Sequence, residues 1–405
     1  MSTPTTTSTP TATATLTTTP TATATPTATN TPTVTPTPQP IPTSREVLSL
    51  DNFDDWQSLG TPDAPCGIGD VQFDPAGNRI AGRCYTRDNP SIIHIWDVNT
   101  LTLVSRFTTF GTNADIAFNP ANPNEMITVS RVGEIAESPY WFLEVWDIER
   151  QLPVYEIRLS VQAYDIAYSP DGTALALAQQ GPVVRIFDTE RRVISAAVTA
   201  PTGLRLLTTE FSPDGESLIT AADASVTVWN YTDLTIRYHR PERNIPVTGE
   251  YGWDHINMRF ANTDTLTPDG EFWAFDLHNE AGVEQVRSVM VWDVVEDQPL
   301  ADTPERPFDA RRSAFTYNMQ FHPSQPNILA YTDFRIRLYF WDWRADETVT
   351  YDLDPLMGVG VTQDADGNFD LGNNNRPYNL DFNPTGDLLA VGGWDVFLIG
   401  VPSSD

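Results

Sequence analysis

The sequence predicts an all-β fold: a seven-bladed β-propeller with four-stranded antiparallel blades, preceded by a disordered Thr/Pro-rich segment. Two observations carry this prediction. An aromatic residue followed by a turn such as SPDG recurs along the chain, at the spacing of roughly 40–45 residues that is typical of propeller blades. A pair such as Trp-Asp then closes most of the repeats, after short apolar runs of strand length.

The repeat has seven recognisable openings and six recognisable closings. The openings are Phe73 (FDPAGN), Phe118 (FNPANPN), Tyr168 (YSPDG), Phe211 (FSPDG), Leu266 (LTPDG), Phe321 (FHPSQPN) and Phe382 (FNPTGD). The closings are IWD at 95–97, VWD at 145–147, IFD at 186–188, VWN at 228–230, VWD at 291–293 and FWD at 340–342.

Each part of the repeat has a physical reason. Pro presets φ, Asp or Asn bonds its own backbone and Gly accepts a positive φ, so the opening predicts a tight turn between two strands. A four-stranded sheet cannot bury its apolar face alone, and packing the blades around a ring buries that face. The last repeat ends after its third strand, 396–401, so we expect residues 44–50 to pair with it and close the ring.

The segment before the repeats has a different composition. Residues 1–44 are almost wholly Thr, Pro and Ala and contain no charged side chain. Such a segment has too little apolar surface to offset the entropy of ordering, and its prolines keep it extended. We expect a disordered stalk or linker, with O-glycosylation as one use and a solvated tail as the alternative. The propeller would then span 45–405.

The SPDG and VWD phrases at this spacing resemble the WD40-repeat family over residues 45–405, in a divergent, bacterial-type form. The sequence departs from the family pattern in one respect. The His usually found in the loop that enters each blade is missing, because the five histidines of the chain all lie elsewhere. We therefore expect the hydrogen-bonded network that this His anchors to be mostly absent.

The charge of the chain restricts its partners. Residues 1–44 are uncharged, so the whole formal net charge of −30 lies on the folded part. Nucleic acids and anionic membranes require a basic surface, which disfavours both as partners. We also expect no direct membrane insertion, because no run of about 18 apolar residues is present.

The stalk composition also bears on location. No signal peptide precedes the Thr/Pro segment. A stalk without an export signal suggests an excerpt from a larger exported or membrane-tethered protein. We expect an extracellular or cell-surface location, with the cytoplasm as the alternative. The sequence does not indicate an oligomeric state.

Insertions in repeat proteins map to loops, often on the binding face. Long loops follow the second strand of the second and fifth repeats, and a long connection spans 238–258. Aromatic residues with a nearby Arg are typical of binding hot spots. The resulting candidates are Tyr140, Trp141, Arg243, Tyr251 and Trp253. The alternative is that these rings fill the central channel or cover a neighbouring blade.

The segment DADGNFD suggests a calcium site. Asp364, Asp366 and Asp370 surround Gly367, so carboxylates at alternate positions could wrap Ca²⁺ in oxygen. It lacks the first acidic position and the final Glu of a full EF-hand loop. The alternative is a β-hairpin in which an Asp-Gly turn joins VGVTQ to NFDLG. No other cofactor is expected.

The two cysteines, Cys66 and Cys84, flank the first hairpin. Counting outward from its turn places them opposite or diagonal to each other, so a disulfide is feasible within about 7 Å between Cα atoms. Two buried free thiols are the alternative.

The sequence contains no recognisable catalytic motif of the nucleophile-elbow, zinc-protease or phosphate-loop type. The first hypothesis is therefore a non-catalytic extracellular propeller that binds a protein or peptide, as the sensor or adhesion part of a larger exported protein. The alternative is a secreted propeller enzyme or glycan-binding module that uses acidic residues on the loop face.

Overall fold

The computed structural model describes residues 40–84, 90–133, 140–179, 181–201, 203, 206–212, 214–222, 225–240, 264–266, 271–278, 287–293, 296, 298–302, 316–333, 336–358, 361–363, 369–371, 377 and 379–403. These residues all belong to the unit Pro38–Asp405. Residues 1–39 lie outside the described part, so the disordered stalk stays a prediction.

In the described part of the chain, six sheets have four antiparallel strands each, and the strands of each of these sheets follow in chain order. Blade 1 contains β3 (Ile68–Phe73), β4 (Arg79–Cys84), β5 (Ile92–Asp97) and β6 (Leu103–Thr108). Blade 2 contains β7 (Thr112–Asn119), β8 (Asn122–Val132), β9 (Tyr140–Asp147) and β10 (Leu152–Leu159). Blade 3 contains β11 (Ala163–Tyr168), β12 (Ala174–Gln179), β13 (Val183–Asp188) and β14 (Val193–Thr199).

The other three blades repeat this arrangement. Blade 4 contains β15 (Leu206–Phe211), β16 (Ser217–Ala222), β17 (Ser225–Asn230) and β18 (Thr235–Arg240). Blade 5 contains β19 (Asp264–Leu266), β20 (Phe272–His278), β21 (Arg287–Asp293) and β22 (Gln298–Asp302). Blade 6 contains β23 (Thr316–His322), β24 (Gln325–Asp333), β25 (Arg337–Asp342) and β26 (Glu347–Asp352).

One further sheet, here called the closing sheet, combines both ends of the described chain. It contains β29 (Asn379–Phe382), β30 (Leu388–Gly392) and β31 (Val396–Pro402), together with β1 (Arg45–Glu46) and β2 (Gln57–Gly60). Arg45 pairs with Pro402 and Glu46 with Val401, while β2 pairs with β31 farther along the same strand, from Gly400 to Leu398.

The prediction of seven four-stranded blades is therefore wrong: over the residues that the structure describes, the protein is an all-β propeller with six four-stranded antiparallel blades. The closing sheet has five strands, because a second N-terminal segment, β2, joins β31 beside β1. The N-terminal contribution also differs from the expected strand 44–50, since only residues 45–46 of that stretch are in a strand.

The innermost strands of the sheets line the centre. They contact one another in the order β19, β23, β29, β3, β7, β11 and β15. Apolar clusters fill the spaces between adjacent sheets: one joins blade 6 to the closing sheet, one joins the closing sheet to blade 1, and others join blades 1 to 2, 2 to 3, 3 to 4 and 5 to 6. Burial between sheets is thus the main stabilising term, as expected for a propeller.

The recurring Trp-Asp pair has two separate roles. The Trp lies between sheets, as shown by Trp96 and Trp341, both at most 1% exposed. The Asp caps the following turn: the Asp147 carboxylate accepts the Arg150 N–H at 2.9 Å, and the turn residue Gln151 has φ +57°. Equivalent positive φ values occur after four other closings. The pair therefore combines core packing with local turn chemistry.

The SPDG turns behave as predicted. In blade 3 the Asp171 carboxylate accepts the Ser169 hydroxyl at 2.6 Å and the Thr173 N–H at 3.0 Å, while Gly172 has φ +69°. Blade 4 repeats this geometry around Asp214. A positive φ is unfavourable for residues with a Cβ atom, which explains the Gly.

Among the described residues, three short elements lie outside the six blades and the closing sheet. They are a 3₁₀ helix (Phe53–Asp55), a helix α1 (Asp354–Met357) and a hairpin formed by β27 (Val361–Gln363) and β28 (Phe369–Leu371). Among the described residues, neither helix has the length or hydropathy to cross a bilayer.

Candidate functional site

One edge of the propeller, here called the loop face, carries the connections between sheets and the loops between second and third strands. This follows from the strand order, because in an antiparallel sheet of consecutive strands those connections share one edge. The turns between first and second strands and between third and fourth strands lie on the opposite edge. Among the described residues, the loop face thus includes the connections 109–111 and 393–395.

An aromatic patch lies at the loop face of blade 2. Phe110 is 46% exposed and its ring lies 5.5 Å from that of Phe142. The Tyr140 ring contacts Phe142 edge-on at 5.6 Å, and the Arg158 guanidinium lies 4.0 Å from the Tyr140 centroid. Aromatic rings with a stacked guanidinium offer a partner apolar area and cation–π contacts together. We call these four residues the blade 2 patch.

A buried carboxylate holds the blade 2 patch in place. Glu144 is fully buried and its Oε1 accepts the backbone N–H of Phe110 at 2.9 Å, while Oε2 accepts the Ser130 hydroxyl at 2.9 Å. Ser130 in turn accepts the Gly111 N–H at 3.0 Å. Burial raises the pKa of Glu144 to about 7, and these hydrogen bonds oppose that effect. The network fixes the connection 109–111 on which Phe110 is presented.

A second exposed aromatic residue lies on the closing sheet. Trp394 occupies the turn between β30 and β31 and is 52% exposed. The turn is closed by a 2.9 Å hydrogen bond from the Gly393 N–H to the Asp395 carbonyl. Gly67 lies directly beside the ring, since a Cβ there would meet the indole at 3.4 Å. The ring therefore rests on backbone and presents its other surface to solvent.

The structure separates the sequence-predicted binding residues. Tyr140 is part of the blade 2 patch, whereas Trp141 is 7% exposed and packs in the core between blades 2 and 3. For Trp141 the alternative interpretation, a ring packed against a neighbouring blade, is the correct one. Arg243, Tyr251 and Trp253 lie outside the described residues.

The predicted calcium ligands cannot be placed. Asp364 and Asp366 lie outside the described residues, and of Asp370 only the backbone is described, within β28. Thr362 pairs with Asp370 and Gln363 with Phe369, so a hairpin surrounds the loop as the alternative interpretation expected. Calcium binding stays a prediction.

Cys66 and Cys84 form a disulfide, with 5.6 Å between their Cα atoms. Cys84 ends β4, and Cys66 lies just before β3 rather than within it. His94 of β5 is buried beside them, with its Nδ1 3.4 Å from the Cys84 sulfur. Burial lowers the pKa of His94, which favours the neutral imidazole.

Carboxylates gather on the innermost strands. Asp70, Asp115 and Asp165 occupy the third position before the aromatic residue of β3, β7 and β11. Burial raises the pKa of Asp115 to about 8 and those of Asp70 and Asp165 to about 6. The Arg83 charge opposes the shift at Asp70 and at Asp115, so this guanidinium lies near both.

Most of these carboxylates link one sheet to the next. Asp165 accepts the backbone N–H of Thr209 at 2.8 Å, and Asp381 accepts that of Phe73 at 2.6 Å. Asp70 accepts the Asn379 amide at 2.7 Å. For Asp115 we find no side-chain hydrogen bond to the residues that the structure describes. Asp70, Asp165 and Asp381 therefore link adjacent sheets of the ring.

Glutamine side chains make the same kind of link. Gln320 accepts the N–H of Phe382 at 2.6 Å, and Gln72 accepts that of Phe118 at 3.1 Å. In each case the residue before the aromatic of one sheet binds the aromatic residue's backbone in the next sheet. These carboxylate and glutamine side chains provide hydrogen bonds between sheets, although the His usual in the WD40 pattern is missing.

The sequence contains a repeated signal for the inner carboxylates. The phrases DVQF, DIAF and DIAY repeat an Asp three residues before the aromatic in three successive repeats. Trp394 and Phe110 had no comparable signal, because their exposure depends on the neighbouring connection rather than on local pattern.

The opposite edge carries a different feature. An open cleft of about 470 Å³ lies on blade 4 and is lined by polar side chains, with no apolar member. The lining residues are Glu216, Asn230, Thr232, Thr235 and Arg237. Polar, open clefts of this kind lack the apolar lining of typical ligand pockets.

Comparison with known families gives one match. Residues 196–230 match the family model described as WD domain, G-beta repeat. The matched stretch starts within β14, the outer strand of blade 3, and ends with β17 of blade 4. A search of curated proteins finds no match. The family match and the propeller architecture together support assigning the chain to a WD40-like propeller family.

Proposed function

We propose that this protein is a non-catalytic scaffold that binds a protein or peptide through its loop face. The observation that carries the proposal is the exposure of two large aromatic residues, Phe110 and Trp394, on that face. Large aromatic side chains at rigid positions are the usual anchors of protein interfaces. Both are held on short connections between strands, so binding would order few residues.

The charge of the chain indicates the class of partner. With a formal net charge of −30, the propeller attracts basic segments and repels acidic ones. The guanidinium-stacked Tyr140 and the exposed indole would take the partner's apolar side chains. We therefore propose a partner that combines basic residues with apolar anchors, and we expect its affinity to fall as salt concentration rises.

We propose further that the protein works outside the cell or at its surface, as the sensor or adhesion part of a larger exported protein. The Cys66–Cys84 disulfide supports this location, because disulfides persist mainly in oxidising compartments. The Thr/Pro composition of residues 1–44 supports it as well. Fractionation of the native host, with protease accessibility of the propeller in intact cells, tests it. A protein recovered only from the cytosol would contradict it.

Peptide display on the intact protein tests the binding proposal. Peptides selected on the wild type are measured against Trp394→Ala and Phe110→Ser. Loss of a hot-spot residue costs about 2 kcal/mol or more, so at least one variant should bind about 30-fold more weakly. The matched control is Leu152→Ser, because Leu152 is 48% exposed on blade 2, which carries the blade 2 patch, but lies on the edge opposite the loop face.

Two outcomes would contradict the proposal. Selected peptides that bind both loop-face variants as well as the wild type would place the site elsewhere. A selection from which no peptide is enriched, with the protein shown to be folded, would remove the case for peptide binding.

One observation favours a second candidate, a glycan-binding or glycan-cleaving propeller. Asp115, with a pKa raised to about 8, lies close enough to Asp70 for their charges to interact. An acid that keeps its proton beside one that ionises is the arrangement of glycoside hydrolases. A panel of chromogenic glycosides tests it: turnover that disappears in Asp115→Asn would support the enzyme. Absence of turnover and of glycan binding in the wild type would exclude it.

A further inference from the structure

The disulfide between Cys66 and Cys84 has a third neighbour, and all three residues are ligand types for soft and borderline metal ions. One sulfur or nitrogen atom from each of Cys66, Cys84 and His94 lies within 4.8 Å of the other two. Cys84 and His94 are buried, while Cys66 is partly exposed. The cluster of three residues is therefore accessible from the side of Cys66 and buried on the side of Cys84 and His94.

We propose that the reduced form of this protein binds a zinc ion through the thiolates of Cys66 and Cys84 and the imidazole of His94. The disulfide form excludes the metal, so the site would respond to the redox state of its surroundings. Zinc is the metal best matched by two thiolates and an imidazole. The proposal is independent of the loop-face function.

The distances fit a tetrahedral ion. Zinc bonds of about 2.3 Å to sulfur and 2.0–2.1 Å to nitrogen put a tetrahedral sulfur–nitrogen pair about 3.6 Å apart. The Cys84 sulfur and the His94 Nδ1 are 3.4 Å apart. The two cysteine Cα atoms are 5.6 Å apart, which leaves the sulfurs free to separate by side-chain rotation once their bond is broken.

The surroundings favour one geometry of the imidazole. His94 stacks on Trp96, with ring centroids 5.5 Å apart and an interplanar angle of 15°. Because β5 and its neighbours hold both rings, Nδ1 stays directed at Cys84. Cys66 lies in an irregular connection before β3, so it is the ligand with freedom to adjust. A fourth ligand would be water or the Asp63 carboxylate, whose charge already acts on His94.

The chemistry balances in two steps. A dithiol reductant transfers two electrons and two protons to the disulfide, giving two cysteine thiols and the cyclic disulfide of the reductant. Zinc then displaces both thiol protons, so one ion is bound and two protons are released. Metal loading should therefore acidify a weakly buffered solution.

Cobalt substitution tests the proposal. The intact protein is reduced with dithiothreitol, freed of reductant without oxygen, and titrated with Co²⁺. We expect one equivalent to give a thiolate-to-cobalt charge-transfer band with tetrahedral d–d bands, and Zn²⁺ to displace it. The oxidised protein should give neither signal. Carboxylate sites elsewhere on this acidic chain would not produce the charge-transfer band.

Variants separate ligation from folding. Cys66→Ser and Cys84→Ser should lose the charge-transfer band, and His94→Gln should weaken cobalt binding at least tenfold. His239→Gln, a histidine on blade 4, is the matched control and should bind as the wild type does. Circular dichroism verifies the fold of each variant. A reduced wild type without the charge-transfer band, or the same band in the oxidised protein or in the Cys66/Cys84 double variant, would overturn the proposal.

Discussion

Replacing Asp115 with Asn should stabilise the propeller, and the gain should grow with pH. Asp115 lies on the innermost strand of blade 2 with its pKa raised to about 8 by burial, against an ordinary value of 3.8. A raised pKa means that the folded state holds its proton more tightly than the unfolded state. The wild type therefore loses stability as pH rises from about 4 to about 8. Asn keeps the shape and carries no charge.

The size of the effect follows from the shift. A pKa raised from 3.8 to about 8 corresponds to about 6 kcal/mol of unfolding free energy if the whole cost reaches the folding equilibrium. Asp115 is only partly buried from solvent, and water entry and relaxation reduce such costs considerably. We therefore expect Asp115→Asn to gain about 1–3 kcal/mol at pH 8 and less than 1 kcal/mol at pH 5.

Urea unfolding at several pH values between 5 and 8, followed by tryptophan fluorescence, measures this difference from the midpoints. Asp55→Asn, at an exposed aspartate of the N-terminal segment, is the control and should change the midpoint little at any pH. An Asp115→Asn midpoint below that of the wild type at pH 8, or a difference that does not change with pH, would show that the Asp115 carboxyl does not destabilise the folded state.

Three further predictions concern stability. Reducing the Cys66–Cys84 disulfide without adding metal should lower the free energy of unfolding in urea by about 3 kcal/mol, because it releases a loop with a sequence separation of 18. An unchanged urea midpoint would show that the bond does not contribute to stability. Gly386→Ala should lower the free energy of unfolding by more than 2 kcal/mol and lower the thermal midpoint, since Gly386 has φ +73° and a Cβ there would collide with the buried His322 imidazole. A thermal midpoint equal to that of the wild type would contradict this geometry. Ser130→Ala should lower the free energy of unfolding by about 1–3 kcal/mol and weaken peptide binding at Phe110, because the Gly111 N–H and one Glu144 oxygen lose their shared partner. A variant that keeps the wild-type peptide affinity would show that the Glu144 network does not hold the blade 2 patch for binding.

The general architecture was predictable because it depends on turn residues whose roles are local. The turn at Asp171 needs its Asp and Gly whatever surrounds it, and the Asp147 cap follows the same logic. Such residues recur at a fixed spacing, so the sequence reveals the repeat. The composition of the closing sheet was not predictable in this way. The strand Gln57–Gly60 reads QSLG, with no alternation, and it is a strand only because β31 offers it an edge.

The candidate site was predictable only in part. Third strands pack against neighbouring sheets on both sides, so β9 is buried at Trp141 and also through most of its length. The alternation of apolar and polar residues along the strand therefore could not distinguish Tyr140 at the surface from Trp141 in the core. The exposure of Trp394 depends on Gly67, which is far away in sequence, so no local pattern indicates it.

Hydrogen–deuterium exchange with a bound selected peptide measures directly whether partners bind the loop face. Binding at the loop face should slow exchange in the connections 109–111 and 393–395, which carry Phe110 and Trp394. Protection confined to the opposite edge, at 214–216 and 230–235 around the polar cleft of blade 4, would contradict it.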